Sequence, residues 1–64
     1  MYELYLHEAE GDILMGSVGT LPKIQAFVEQ EAEKLFKQGK EKVYFYCTDV
    51  EGNRPVSWIM GKTE

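Results

Sequence analysis

The stretch from Thr20 to Gly39 constrains this chain more than any other, because it reads as one amphipathic helix. At about 100° per residue, Leu21, Ile24, Phe27, Val28, Ala32, Leu35 and Phe36 gather on one side of a helical wheel. Gln30, Glu33, Lys34 and Lys37 lie opposite. Thr20 suits the N-cap, and Pro22 falls in the first turn, where its missing N–H does no harm. Gly39 can take the left-handed conformation that closes a helix, and Lys34 and Lys37 sit near the negative end of its dipole. A helix with one apolar stripe needs a second layer to cover it, and the remaining residues read as strands.

From Tyr2 to Glu8 the chain alternates, with Tyr2, Leu4 and Leu6 on one face and Glu3, Tyr5 and His7 on the other. Ala9-Glu10-Gly11-Asp12 supplies a turn. A second strand runs from about Ile13 to Val18 with apolar residues on both faces, so its inward side stays open. Gly16 within it points to a bulge or a close approach by another backbone. After the polar link Lys40-Glu41-Lys42, the richest strand follows, with Val43, Phe45 and Cys47 inward and Tyr44, Tyr46 and Thr48 outward. Asp49 to Asn53 is a turn with a Gly52-Asn53 hairpin signal. The last strand begins near Pro55, placing Val56, Trp58 and Met60 on one face and Ser57 and Ile59 on the other. Gly61 to Glu64 reads as a tail.

The expected fold is therefore α+β in the order β-β-α-β-β, a four-stranded sheet with one helix packed on one face. A β-grasp order, with the first and last strands parallel in the middle, and a related strand order both satisfy the apolar stripes. Residues 1–64 are enough for one domain, near the lower limit for a chain that folds alone. One cysteine and one histidine make neither an internal disulfide nor a structural zinc site, so no metal or other cofactor is expected. Oligomerisation is then a natural source of further buried surface.

Met1 to Leu6 and Ala32-Glu33-Lys34-Leu35-Phe36-Lys37-Gln38 resemble pieces of the small immunoglobulin-binding β-grasp domain of bacterial surface proteins. That resemblance implies binding of antibody Fc through the helix and the strand after it, with Glu33, Lys34, Lys37 and Gln38 as contacts. The two segments cover a small part of the chain. The helical one sits several residues later relative to the first strand, and the loops differ.

Charge narrows the function classes. A net charge of −4 opposes non-specific attraction to nucleic acid or to anionic membrane surfaces. No basic region followed by an apolar core opens the chain, and no apolar run nears the roughly 20 residues of a membrane span. Cytoplasmic localisation is expected, in keeping with the lone Cys47.

The candidate site is the face of the sheet turned away from the helix, where Tyr5, His7, Tyr44, Tyr46 and Ile59 gather. Cross-strand aromatic pairs stabilise a sheet by themselves, and tyrosines are also enriched where proteins dock. A base-stacking platform would want flanking Lys and Arg, whereas Glu3 and Glu8 flank these rings. Glu31 falls inside the apolar arc of the helix and reads as a boundary residue reaching solvent. Glu33 and Lys37 are spaced for an i,i+4 pair. The acidic turn residues Glu8, Glu10, Asp12, Asp49 and Glu51 fit turn chemistry; Asp49 to Asn53 lacks the alternating ligands of a calcium loop. On a nucleic-acid mimic they would stand in for phosphates, for which −4 is mild.

An enzyme is not expected. A Cys–His nucleophile pair would need His7 and Cys47 to adjoin, yet their faces are opposite. Gly16-Ser17-Val18-Gly19 lacks the lysine of a phosphate loop and the spacing of a dinucleotide fingerprint. The sequence thus points to a protein-binding module of the phage or mobile-element accessory type, or an inhibitor that occludes a partner surface. Its expected partner is a second copy of itself, another protein, or both, and no small-molecule substrate is expected. The alternatives are a nucleic-acid-associated module using the aromatic sheet face and a structural oligomer subunit.

Overall fold

A computed structural model describes residues 1–61. The elements are β1 (Tyr2–Glu8), β2 (Gly11–Val18), α1 (Leu21–Lys37), β3 (Lys42–Thr48) and β4 (Ser57–Gly61). The strands form one antiparallel sheet in the order β2-β1-β3-β4. Of the two expected arrangements, the β-grasp order does not occur: β1 lies between β2 and β3, and β4 is an edge. The reason is where burial is needed. Leu4 and Leu6 of β1 and Val43, Phe45 and Cys47 of β3 are fully buried, whereas Trp58 and Met60 of β4 are only half-buried. The most apolar strands take the centre, and the five-residue β4 takes the rim.

The helix packs on the face carrying those residues, with Ile24, Val28 and Ala32 at the centre of the contact. Phe27, Leu35 and Phe36 flank them. Its start is marked as expected, since the Thr20 hydroxyl accepts the Lys23 N–H at 3.4 Å. Its end also falls where the Gly39 signal places it. Gln38 is the C-cap, and Gly39, at φ 103°, lets its own N–H reach Phe36 O while the Lys40 N–H reaches Leu35 O, each at 3.1 Å. That pair of bonds is a Schellman closure. Lys40 then turns its ammonium to Glu8, 3.2 Å away, tying the exit of the helix to the end of β1.

β2 resolves its two-faced pattern through a bulge. Leu4 pairs with Gly16 but Tyr5 pairs with Leu14, so Met15 is an extra residue and the alternation shifts there. Ile13 and Gly16 therefore share the helix side with Leu6 and Leu4, and Leu14 and Ser17 face away from it. The close approach at Gly16 is made by a side chain: a Cβ there would lie 2.7 Å from Cε2 of Phe27.

The β3–β4 connection is longer than the turn signal implied. Asp49 Oδ1 accepts the N–H groups of Glu51 and Asn53, both at 2.9 Å, so its carboxylate is engaged in holding the loop. Cys47 N–H donates to Val56 O, and β4 begins at Ser57, two residues after Pro55. Gly61 belongs to β4; the rest of the expected tail, 62–64, lies outside the described residues.

Candidate functional site

The outer face of the sheet is built from two rungs. One runs Leu14–Tyr5–Tyr46–Ser57 across all four strands. The next carries Asp12 opposite His7 and Tyr44 opposite Ile59. Beyond the first rung lie Ser17, Glu3 and Thr48, and beyond the second, at the start of β3, Lys42. All five residues expected on this face are there, but they are not equally available.

Tyr46 is covered. It stacks on Tyr5 with ring centroids 5.3 Å apart at 15°. The Arg54 guanidinium lies over its ring, 4.1 Å from the centroid, and its hydroxyl donates to Asp12 Oδ2. Only 6% of Tyr46 remains exposed, against 37% of Tyr44. His7 meets Tyr44 edge-on at 5.4 Å and places Nδ1 2.7 Å from Asp12 Oδ1. An ionised carboxylate only accepts, so Nδ1 carries the proton and Nε2 of a neutral ring is left as an acceptor.

Asp12 thus accepts from two side chains on two neighbouring strands. The Tyr46 hydroxyl first, and then His7, hold its carboxyl below the ordinary 3.8. Conversely, the bond to Asp12 is the main reason that Tyr46 titrates above its ordinary 10.0. Both effects have the same origin, because the bond favours carboxylate and protonated phenol together.

Around this polar centre the surface is apolar. Ile59 on β4 is 64% exposed and Leu14 on β2 is 53% exposed, with Tyr44 between them. Among the described residues the charge on the face is balanced, with Glu3 and Asp12 matched by Lys42 and Arg54.

Three members of the site do not stand out in the sequence. Leu14 is masked by the bulge, although Gly16 hints at the phase shift. Asp12 reads as a turn residue, whereas closing the Ala9-Glu10 turn on Glu8 and Gly11 sets it opposite His7. Arg54 sits in an irregular loop, where no period locates it.

The other candidates resolve simply. Glu31 is a half-buried boundary residue, 3.6 Å from Lys34, and Glu33 pairs with Lys37 at 3.2 Å. Gln25, on the exposed helix side, accepts the Trp58 indole N–H at 2.8 Å and so ties α1 to β4. Cys47 is buried beneath the helix, on the face opposite His7. Among the described residues no three His, Cys, Asp or Glu side chains are grouped to hold a metal, and no helix is long and apolar enough to cross a membrane.

No family model, curated protein or solved structure matches this chain. Glu33, Lys34 and Lys37 are exposed on α1 and Gln38 at its C-cap, but the helix stands on a sheet whose order differs from the β-grasp.

Proposed function

We propose that this protein is an interaction module that docks another protein through the outer face of its sheet and performs no chemistry of its own. The observation that carries this reading is the pairing of an exposed apolar rim with a central Asp12 carboxylate already hydrogen-bonded to Tyr46 and His7. Leu14, Tyr44 and Ile59 offer area whose burial is favourable, at about 25 cal/mol per Å². Desolvating a polar group that lacks a partner opposes docking. Here Asp12 and the Tyr46 hydroxyl satisfy one another, and Arg54 is stacked. A partner can therefore cover the Asp12–Tyr46 pair at small penalty, provided it offers acceptors to the Arg54 guanidinium and a donor to His7 Nε2.

Occlusion suits an accessory protein or inhibitor of the phage or mobile-element type, which acts by covering a surface. A single buried thiol fits a reducing compartment such as the cytoplasm. The balanced charge of the face favours a protein over a polyanion, whose binding would need several uncommitted cations.

The test is affinity capture from the native host with the wild type and with Ile59→Lys. Ile59 is exposed on an edge strand, where lysine is well tolerated, so the fold should persist by circular dichroism. The proposal expects a partner held by the wild type and lost with the variant. A partner retained equally by both would overturn it.

A further inference from the structure

We propose that one occupant of this face is a second copy of the same chain, packed sheet to sheet about a two-fold axis that runs across the strands. This inference rests on the docking reading above and names the partner. Three observations lead to it.

The first is charge. Two copies carrying −4 each repel one another, yet the outer face holds two carboxylates and two cations and is neutral. It is a side on which copies can meet without like charge facing like. The arrangement of those charges is also directional. Glu3 lies at one end of the rungs on β1, and Lys42 lies at the other end on the neighbouring β3.

The second is how a two-fold axis places the groups of this face. A two-fold axis across the strands, midway between the rungs, reverses strand direction and keeps each strand over its own counterpart. That operation exchanges the two rungs, so Leu14 lies over Asp12 of the partner subunit, with Leu14 of the partner subunit one rung away at the β2 edge. Ile59 lies over Ser57 of the partner subunit, with Ile59 of the partner subunit one rung away at the β4 edge. The rings of Tyr5, His7, Tyr44 and Tyr46 interleave between them. The same operation brings Glu3 to the neighbourhood of Lys42 of the partner subunit, twice over. An axis along the strands would instead lay Glu3 over Thr48 of the partner subunit and leave Lys42 of the partner subunit at the far end of the rungs. Only isologous contacts of the first kind match acid with base at both ends of the face.

The third is size. The molecule is a slab with Cα extents of 36 × 26 × 15 Å, and the sheet forms its broad side. A stable interface covers about 800 Å² per partner, which is the scale of that side and of no narrower one. A chain this short also has little core to spare, so a second sheet layer adds burial where it is most needed.

The experiment is sedimentation equilibrium from micromolar to millimolar concentration, at low salt, on the whole chain. Glu3→Lys, Lys42→Glu, the double exchange, Ile59→Lys and Ile13→Lys are compared with the wild type. The proposal expects a wild-type monomer–dimer equilibrium. Either single charge reversal should weaken it by at least about tenfold, and the double exchange should recover most of that loss. Ile59→Lys should abolish the dimer. Ile13→Lys, on the helix side of β2, should leave it intact.

A wild type that stays monomeric at millimolar concentration overturns the proposal, as does a larger closed oligomer or a double exchange that restores nothing. Dimerisation lost in Ile13→Lys and kept in Ile59→Lys would mean edge-to-edge pairing of β2 and would also overturn it. The docking reading fails separately. A monomeric wild type that still captures a host partner through Ile59 removes the second copy and leaves the face.

Discussion

Tyr46 on β3 donates its hydroxyl to Asp12 on β2, spanning the intervening β1 and 34 residues of chain. This bond fixes the diagonal of the outer face and couples two titrations in opposite directions. A carboxyl whose folded pKa is depressed adds stability that is present above its unfolded value, near 3.8, and is lost as pH falls through the folded value. A phenol whose folded pKa is raised adds stability that is present below its unfolded value, near 10.0, and is lost as pH rises through the folded value. The bond therefore contributes across the whole interval between them. NMR titration of the Asp12 carboxyl carbon should give a midpoint below 3.8 in the wild type and a higher one in Tyr46→Phe. An Asp12 midpoint that ignores Tyr46→Phe would show that the bond is absent in solution.

Gly16 and Phe27 make a second prediction, this time about the core. A Cβ at position 16 would lie 2.7 Å from Cε2 and 2.8 Å from Cζ of the Phe27 ring, so the ring or the bulge must move. Gly16→Ala should destabilise by about 1–3 kcal/mol, the range for overpacking. Phe27→Leu shortens the intruding ring, and the double variant Gly16→Ala/Phe27→Leu should recover part of that loss. Urea unfolding monitored at Trp58 measures both. Additive losses in the double variant would mean that the two residues do not meet.

Glycines at the two ends of the helix separate backbone strain from packing. Neither Gly19 nor Gly39 has anything within 4 Å of an added Cβ, but only Gly39 has a positive φ, 103°. Gly39→Ala should therefore cost about 1 kcal/mol through strain in the Schellman closure alone. Gly19→Ala should be close to neutral. Equal effects at the two sites, read from thermal unfolding, would contradict the closure described here.

What the sequence reveals about this molecule depends on whether a feature is local. The helix, its caps and the inward faces of β1, β3 and β4 follow from periodicity, and Leu4, Ile24, Val28 and Phe45 are buried as their spacing requires. Strand order is a question of which strand pairs with which, and the β2–β1–β3 adjacency leaves no periodic trace. Leu14 was obscured because one extra residue, Met15, reverses the alternation before it. Asp12 meets Tyr46 from 34 residues away and Arg54 reaches it from an irregular loop, so their roles become visible once Tyr46 is placed between them.

Tyr44 and Tyr46 are two residues apart on one face, yet the structure gives them different chemistry. Tyr44 is 37% exposed, whereas Tyr46 is 6% exposed beneath the Arg54 guanidinium. Cation–π contact of this kind is worth about 0.5–1 kcal/mol at an exposed site, enough to favour the covered state severalfold. Limited nitration with tetranitromethane, mapped by mass spectrometry, should modify Tyr44 well before Tyr46 in the wild type. Arg54→Ala should raise the reactivity of Tyr46 severalfold and leave Tyr44 unchanged. Arg54→Lys should resemble the alanine variant more than the wild type, because an ammonium lacks the planar surface that lies on the ring. Equal nitration of the two tyrosines in the wild type would mean that the Arg54 loop does not cover the face, and the proposed docking surface would then include Tyr46 as an open ring.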